Sequence, residues 1–274
     1  MQRNLCIAGK NRIAVESAEY VQANYPELQL SVVVNSTDSG HDTWQPSLLY
    51  WAECNSVPVR TLEDLYLDET LCFISLEYNR LLNPALFKTK DLFNIHFSLL
   101  PEYKGMYTSS WPILEGKDYS GVTLHRIDTG IDTGDIIDQT RFQLDSNDTA
   151  RDLYEHYLDE GILLLRARIK DLLNGSFDTY PQPASGSTYR ARQSLDFKQL
   201  PLDLKQTASC LRNQIRAFIF PEYQLPVLYS NPISGAEILS TRSRGEPGTI
   251  VAEDAFSLTL ATIDYDIRLL KVDK

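Results

Sequence analysis

Residues 93–101 have the sequence Phe-Asn-Ile-His-Phe-Ser-Leu-Leu-Pro, which places an amide and an imidazole two residues apart in an apolar run. The run predicts a buried strand from Leu92 to Phe97. Side chains two residues apart on a strand point to the same face, so Asn94 and His96 are expected to project together near the strand's C-terminal end. The stretch therefore predicts a polar site at one edge of a sheet.

A second stretch, residues 121–136, supplies a carboxylate. It reads Gly-Val-Thr-Leu-His-Arg-Ile-Asp-Thr-Gly-Ile-Asp-Thr-Gly-Asp-Ile, and Asp132 lies between two of its glycines, Gly130 and Gly134. An amide donor, an imidazole and a carboxylate at one strand edge can support acyl transfer. Such a site requires a fold that brings these two stretches together.

Short apolar runs alternate with helical patterns through the N-terminal half of the chain. The runs lie at residues 5–8, 30–34 and 71–75, and helical spacing occurs at 13–23 and 46–54. Strands that are apolar throughout and alternate with helices indicate a parallel sheet covered on both faces. We predict an α/β fold with a Rossmann-like, doubly wound, mostly parallel sheet, whose ligands bind at the C-terminal ends of its strands.

The C-terminal part has a different pattern. The long helix predicted over 148–173 is followed by a stretch rich in Pro, Ser, Gly, Gln and Tyr, which is typical of a linker. A further helix and five short β segments then indicate a small β domain of the OB-like, curled-sheet kind. We predict a catalytic domain over 1–180, a linker over 181–201, and a C-terminal helix with the β domain over 202–274.

Composition excludes several classes of protein. The net charge is −11 and the pI about 4.9, whereas a nucleic-acid-binding protein usually carries a basic surface. No apolar run is long enough to span a membrane or to form a signal peptide. The four scattered cysteines suit buried or free thiols in a reducing compartment. We expect a cytoplasmic protein that binds neither nucleic acid nor membrane.

Cofactor fingerprints are also missing. The first predicted turn has a single glycine, Gly9, so neither the dinucleotide-binding pattern nor the phosphate-binding loop occurs there. Lys10 and Asn11 follow that glycine, where a ligand could touch the first loop. No spacing of His, Cys and carboxylates predicts a metal site.

Three motifs together resemble a known family. They are Asn94-x-His96-x-Ser98-Leu99-Leu100-Pro101-x-Tyr103-Lys104-Gly105, Gly121-x-Thr123-x-His125 and Asp132-x-Gly134-x-Ile136. This set is similar to the core of the 10-formyltetrahydrofolate-dependent formyltransferases, and Gly-Glu-Pro-Gly-Thr-Ile at 245–250 resembles the small β domain that many of them append. The resemblance implies 10-formyltetrahydrofolate as formyl donor, no metal, and a catalytic trio of Asn94, His96 and Asp132.

The chemistry of the trio agrees with that resemblance. Formyl transfer to an amine passes through a tetrahedral intermediate with an oxyanion, to which the Asn94 amide can donate a hydrogen bond. His96 is suited to accept the proton of the attacking amine near neutral pH. Asp132 can orient His96, stabilise the imidazolium or relay the proton, and the sequence leaves these roles open.

The resemblance also implies a cleft for the pterin between the loop 76–82 and the loop 126–132. Its candidate residues are Leu76, Glu77, Tyr78, Leu81, Arg126 and Ile131.

The acceptor amine is indicated by departures from the family pattern. The usual Arg-Gly-Ala-Ala-Pro run is replaced at 104–111 by Lys-Gly-Met-Tyr-Thr-Ser-Ser-Trp, and aromatic and hydroxyl side chains suit a hexose. This departure is similar to that of sugar N-formyltransferases, which act on nucleotide-linked amino sugars for cell-surface polysaccharide such as O-antigen. We expect a dTDP-linked amino-dideoxyhexose, with contacts from Lys10, Asn11, Met106, Tyr107, Thr108, Ser109, Arg190, Arg192, Arg216, Phe220 and Tyr223.

Three alternatives stay open. A methionyl-tRNA formyltransferase shares the chemistry, but residues 201–274 contain eight Lys or Arg against nine Asp or Glu, which suits a phosphate backbone poorly. A folate deformylase would use water as nucleophile, and a silent module would bind folate or a nucleotide sugar without catalysis.

The position of the amine, 3 or 4, and the base of the nucleotide are not determined. Exposed edges of the β domain favour a homodimer.

Overall fold

The structure is a computed structural model that describes residues 3–197, 200 and 202–272. The chain forms two compact units, each assembled from several segments. The first unit comprises Met1–Gly105, Gly121–Arg141 and His156–Tyr189, and the second comprises Met106–Ser120, Phe142–Glu155 and Arg190–Lys274. The units are defined by packing, so the domain limits at residues 180 and 201 stay a prediction.

The first unit is organised around a six-stranded sheet. Its strands are β1 (Asn4–Gly9), β2 (Gln29–Val34), β3 (Leu71–Leu76), β4 (Leu92–His96), β6 (Tyr119–Arg126) and β7 (Ile136–Gln143), in the order β2-β1-β3-β4-β6-β7. Strands β1 to β4 are parallel, and β6 runs antiparallel to β4. The predicted Rossmann-like, mostly parallel sheet is confirmed.

Helices cover this sheet because its central strands β1 and β3 are largely apolar. They are α1 (Asn11–Asn24), α2 (Leu48–Cys54) and α4 (Ala150–Asn174). Strand β3 is buried along its whole length, and α1 turns Ile13, Ala14 and Val21 into the core. The thiols of Cys6 and Cys72 lie buried in the sheet, and burial raises the pKa of each to about 12, so neither is a reactive thiol.

One glycine lets β1 end close to its neighbour. A Cβ built on Gly9 would lie 1.8 Å from the carbonyl oxygen of Leu76, so any side chain there would force β1 and β3 apart. The loops that leave β1 and β3 therefore begin side by side, at the carboxyl edge of the sheet where ligands of such folds bind.

The second unit contains a five-stranded antiparallel sheet. Its strands are β9 (Val227–Leu228), β10 (Asn231–Ile238), β11 (Ile250–Glu253), β12 (Ser257–Leu260) and β13 (Ile267–Lys271), in the order β11-β12-β13-β10-β9. Helix α5 (Ala208–Phe218) packs Leu211 and Ile215 into its core. The predicted small β domain of five segments is confirmed. The helix begins at Ala208 rather than near residue 202, because the Thr207 hydroxyl caps it by accepting the Cys210 N–H.

The predicted linker has structure in its described part. Short strands β5 (Lys104–Gly105) and β8 (Tyr189–Arg190) pair with each other, and a single 3-10 turn covers Arg192–Ser194. The remaining helix, α3, covers Trp111–Leu114. Among the described residues, no helix combines the length and apolarity that crossing a membrane requires.

Candidate active site

Strand β4 carries Asn94 and His96 to the predicted edge of the sheet. Its register with β6 places Asn94 opposite His125 and His96 opposite Thr123. His96 is 8% exposed, and its Nε2 lies 2.9 Å from the carbonyl oxygen of Tyr103. A carbonyl only accepts, so Nε2 carries the hydrogen and the Nδ1 lone pair of the neutral ring faces the other way.

The Asp132 carboxylate lies next to Nδ1 of His96. Its Oδ2 lies 3.5 Å from Nδ1 of His96, and the same oxygen accepts the N–H of Gly105 at 2.9 Å. Burial raises the pKa of Asp132, but its interactions with the His96 and His125 side chains and the Gly105 hydrogen bond outweigh burial and hold the pKa well below its usual range. The carboxylate is therefore ionised and stabilises a proton arriving at Nδ1 of His96.

His125 is the fourth polar member of this site and was not among the predicted catalytic residues. Its Nδ1 lies 2.7 Å from the carbonyl oxygen of Arg126 and so carries the hydrogen. The unprotonated Nε2 accepts from Nδ2 of Asn94 at 3.0 Å. This bond holds the Asn94 amide with its nitrogen next to β6. We call Asn94, His96, His125 and Asp132 the polar cluster.

The backbone around Asp132 is held in a strained conformation. Asp132 has φ = 53°, the left-handed region that a residue with a side chain rarely adopts. Nε2 of Gln182 donates to the carbonyl oxygens of both Asp132 and Gly134, each at 2.8 Å. Gly134 is required there, because a Cβ would lie 1.8 Å from the Arg126 carbonyl oxygen. Gln182 lies in the predicted linker, and no sequence signal pointed to it.

A buried hydroxyl supports the turn after β4. Thr123 Oγ1 donates to the Ser98 carbonyl at 2.6 Å and accepts the Leu100 N–H at 3.1 Å. Tyr103 is fixed separately, because its N–H donates to Thr188 Oγ1 at 2.7 Å. The Tyr103 carbonyl, which sets the tautomer of His96, therefore belongs to a turn that is fixed by hydrogen bonds.

A cleft of about 150 Å³ opens beside the polar cluster, between the two loops predicted to hold the pterin. Three of the candidate pterin residues line it: Tyr78, Leu81 and Ile131. Asn94, His125 and Asp132 also line it, which places these three members of the polar cluster within reach of any ligand there, whereas His96 is not part of the lining. Arg80 and Thr129 belong to the lining too and were not predicted, although the loops that carry them were.

The other three pterin candidates do not line this cleft. Leu76 is fully buried at the end of β3. Glu77 accepts a hydrogen bond from the Asn11 side chain at 3.1 Å. The Arg126 guanidinium lies over the rings of Phe93 and Phe177, 5.5 and 5.0 Å from their centroids.

In the second unit, several acceptor-site candidates form one packed assembly. The Arg190 guanidinium stacks on Trp111 at 4.3 Å and donates to the Glu115 carboxylate at 2.6 Å. The N–H of Met106 donates to the Arg190 carbonyl oxygen at 2.8 Å, and Trp111 Nε1 donates to the Met106 carbonyl oxygen at 3.1 Å. Tyr107 packs edge-on against Phe197, with centroids 4.8 Å apart. Thr108 and Ser109 follow as partly exposed residues of this loop.

The remaining candidates lie elsewhere. In the second unit, Arg216 donates to the Asp148 carbonyl oxygen at 2.7 Å. Phe220 is buried, 5.6 Å from the Tyr154 ring and 4.9 Å from the Tyr223 ring, whereas Tyr223 is exposed. Arg192 is exposed in its 3-10 turn. In the first unit, Lys10 caps α1, and its N–H donates to the Leu76 carbonyl oxygen.

In the described part of the chain, no group of three or more His, Cys, Asp or Glu side chains is placed to hold a metal ion.

Comparisons with known proteins agree with this geometry. The model of the family described as formyl transferase matches residues 64–169, which include the polar cluster. Methionyl-tRNA formyltransferase of Bordetella petrii is 32% identical over 186 residues, covering 66% of this chain and 57% of that protein. The matched part of this chain thus spans just over half the length of such curated relatives.

Two solved structures match along the whole chain. WlaRD, a sugar 3N-formyl transferase in the presence of dTDP and 5-N-formyl-THF, is 40% identical with a TM-score of 0.93, covering 100% of this chain and 99% of that chain. The N-formyltransferase of Helicobacter canadensis, in complex with folinic acid and dTDP-3-aminofucose, is 42% identical with a TM-score of 0.92, covering 99% and 100%. This chain belongs to the formyltransferase family, and over its full length it is similar to sugar N-formyltransferases.

Proposed function

We propose that this protein transfers a formyl group from 10-formyltetrahydrofolate to the 3-amino group of a dTDP-linked 3-amino-dideoxyhexose. The observation that carries the proposal is the full-length likeness, at 40% and 42% identity, to a sugar 3N-formyl transferase and to an enzyme in complex with dTDP-3-aminofucose. The sequence left the 3- and 4-amino positions open, and these two proteins favour position 3.

The polar cluster supplies the chemistry that this reaction needs. The amine nitrogen attacks the formyl carbon, and the carbonyl π electrons move to the oxygen. The second N–H of Asn94, which His125 does not use, donates to that oxyanion. His96 accepts the amine proton at Nδ1, and Asp132 stabilises the imidazolium that results. Collapse breaks the bond to the folate nitrogen, which takes up a proton and leaves as tetrahydrofolate.

The cleft beside the cluster is proposed to hold the pterin of the donor. Tyr78, Leu81 and Ile131 give it apolar walls, and Asn94 and Asp132 also line it. Among the acceptor residues, we retain Lys10, Asn11, the loop Met106 to Ser109, Arg190, Arg192, Arg216, Phe220 and Tyr223 as the proposed contacts.

A second candidate is methionyl-tRNA formylation, which the curated relatives perform. Those matches cover only part of each relative, and the acidic balance of residues 201–274 suits RNA poorly. The sugar assignment is therefore preferred.

The test is a substrate panel. The purified chain is incubated with 10-formyltetrahydrofolate and, separately, dTDP-3-amino, dTDP-4-amino and UDP-amino sugars and methionyl-initiator tRNA. We expect a mass gain of one formyl group on the dTDP-3-amino sugar, and none with Asn94→Ala. Formylation of the tRNA alone would overturn the proposal, and formylation of only the 4-amino sugar would overturn its position.

Location and assembly also belong to the proposal. We propose a cytoplasmic homodimer whose product enters a surface polysaccharide such as O-antigen. Strands β9 and β11 are the outer strands of the second unit's sheet, and outer strands can pair across a two-fold axis. Light scattering with size-exclusion chromatography checks the dimer, since a monomer at micromolar concentration contradicts it.

A further inference from the structure

A cleft in the second unit is lined by one lysine and two arginines, although the chain as a whole is acidic. It has a volume of about 580 Å³, within the range of small-molecule sites, and lies between α5 and the turns that follow α3 and β7. Lys117, Arg212 and Arg216 line it, together with the acidic residues Asp118 and Asp145. We call this cavity, with its cationic residues Lys117, Arg212 and Arg216, the cationic cleft.

The two arginines are one turn apart on α5 and are held by neutral acceptors. Arg212 donates to Asn147 Oδ1 at 2.5 Å and to the Ala236 carbonyl oxygen at 3.3 Å. Arg216 donates to the Asp148 carbonyl oxygen and to Asn213 Oδ1, at 2.7 and 2.9 Å. In the described part of the chain, neither guanidinium forms an ion pair.

The nearby carboxylates are engaged by the backbone. Asp145 Oδ1 accepts the N–H of Asn147, and Asp148 Oδ2 accepts the N–H of Asp145. Burial and the neighbouring Arg212 guanidinium lower the pKa of Arg216, although Asp148 and Asp145 oppose them. Among the described residues, Arg212 and Arg216 thus have no carboxylate oxygen as a direct hydrogen-bond partner.

One donor in the cleft lacks an acceptor. The Nε–H of Arg216 is buried and finds no hydrogen-bond partner among the described residues. A buried donor without an acceptor is costly, and an anion that reaches it gains a charge-assisted hydrogen bond. The Ser146 hydroxyl also lines the cleft and can bond an oxygen of the same anion.

We propose that the cationic cleft binds a phosphate or diphosphate group. Guanidinium groups match phosphate oxygens in geometry, and two of them with a lysine neutralise a dianion. The lining has no aromatic side chain, so the charge is recognised there and not a nucleobase. The phosphate group belongs either to the sugar nucleotide, as its diphosphate, or to a separate phosphate ligand. Only the first of these two sources rests on the proposed function.

The experiment uses pyrophosphate as the probe. Its binding to the full chain is measured by isothermal titration calorimetry for wild type, Lys117→Gln and Arg212→Gln. Arg244→Gln is the matched control, because Arg244 is an exposed arginine of the second unit that does not line the cleft. We expect about tenfold weaker binding for each cleft variant, no change for the control, and a loss of affinity as salt rises.

The steady-state KM for the sugar nucleotide distinguishes the two carriers. A KM that rises in parallel in Lys117→Gln and Arg212→Gln identifies the substrate's own diphosphate. Loss of pyrophosphate binding with an unchanged KM identifies a separate phosphate ligand. Pyrophosphate affinity equal to wild type in both variants, with unchanged thermal melting, overturns the proposal. Binding is measured without turnover, so this failure is distinct from a failure to formylate sugars.

Discussion

The polar cluster and the cationic cleft handle charge in opposite ways. In the polar cluster, the Asp132 carboxylate accepts a backbone N–H and lies 3.5 and 3.7 Å from ring nitrogens of His96 and His125, and these neighbours hold its pKa below the usual range. In the cationic cleft, Arg212 and Arg216 are hydrogen-bonded only to neutral groups. A preorganised site can move a proton with little reorganisation, whereas guanidinium groups without a carboxylate partner gain a charge-assisted hydrogen bond from an anionic ligand.

The largest effect is expected at the amide of the polar cluster. Asn94→Ala removes the proposed oxyanion donor and should lower kcat by about 10²–10³-fold, the usual cost of losing one such donor. The binding of 5-formyltetrahydrofolate should stay close to that of wild type, because the amide acts on the transition state. Steady-state kinetics and a binding titration check this, with Asn174→Ala, an exposed position at the end of α4, as control. A fall in kcat of less than about threefold would remove Asn94 from the mechanism.

A smaller effect is expected at His125, which holds that amide. His125→Ala should lower kcat by about tenfold, because the Asn94 nitrogen loses its acceptor and its orientation. His125→Gln should recover part of the loss, since its Oε1 can accept the same N–H.

The double variant makes this prediction specific. If His125 acts through Asn94, His125→Ala adds little in the Asn94→Ala background, and the two free-energy changes are not additive. Fully additive losses in kcat would show that His125 acts independently of the amide.

In the second unit, the expected effect is on binding. Arg190→Gln removes the stack on Trp111 and the Glu115 ion pair, so the loop that begins at Met106 loses its support. We expect a several-fold higher KM for the sugar nucleotide and a nearly unchanged kcat, in line with about 1 kcal/mol for an exposed cation–π contact. Arg242→Gln is the control, because Arg242 stacks on Tyr265 at 4.6 Å in the same way. Equal effects of both variants would refute a role for Arg190 in substrate binding.

The smallest effect concerns stability against acid. The folded-state pKa of Asp132 lies below its unfolded value of about 3.9, so its ionisation stabilises the fold above that pH and the stabilisation is lost as pH falls. Asp132→Asn should therefore flatten the decline in the free energy of unfolding between about pH 6 and pH 3. Urea titrations across this range measure it, with the exposed Asp178→Asn as control. If the free energy of unfolding declines in parallel in wild type and Asp132→Asn, the ionised Asp132 carboxylate does not stabilise the fold.

Part of the site was accessible from sequence because it depends on local spacing. Asn94 and His96 lie two apart on an apolar strand, and strand geometry alone directs them to one face. Other partners come from distant parts of the chain. Gln182 is 50 residues from the Asp132 carbonyl that it holds, and its surroundings are typical of a linker. Leu76 was predicted to contact the pterin because it begins the loop 76–82, but its side chain is fully buried in the core.

Hydrophobic periodicity and motif spacing predicted the reaction class, the alternating α/β architecture and the small β domain, because both are local properties of the chain. Only the tertiary structure decided which ring nitrogen of His96 faces Asp132, which residue holds the Asn94 amide, and that Arg190 is engaged by Trp111 and Glu115. These depend on the register between strands and on contacts between segments far apart in the chain. Spacing along the sequence does not encode such contacts, since each follows from how the packed elements meet.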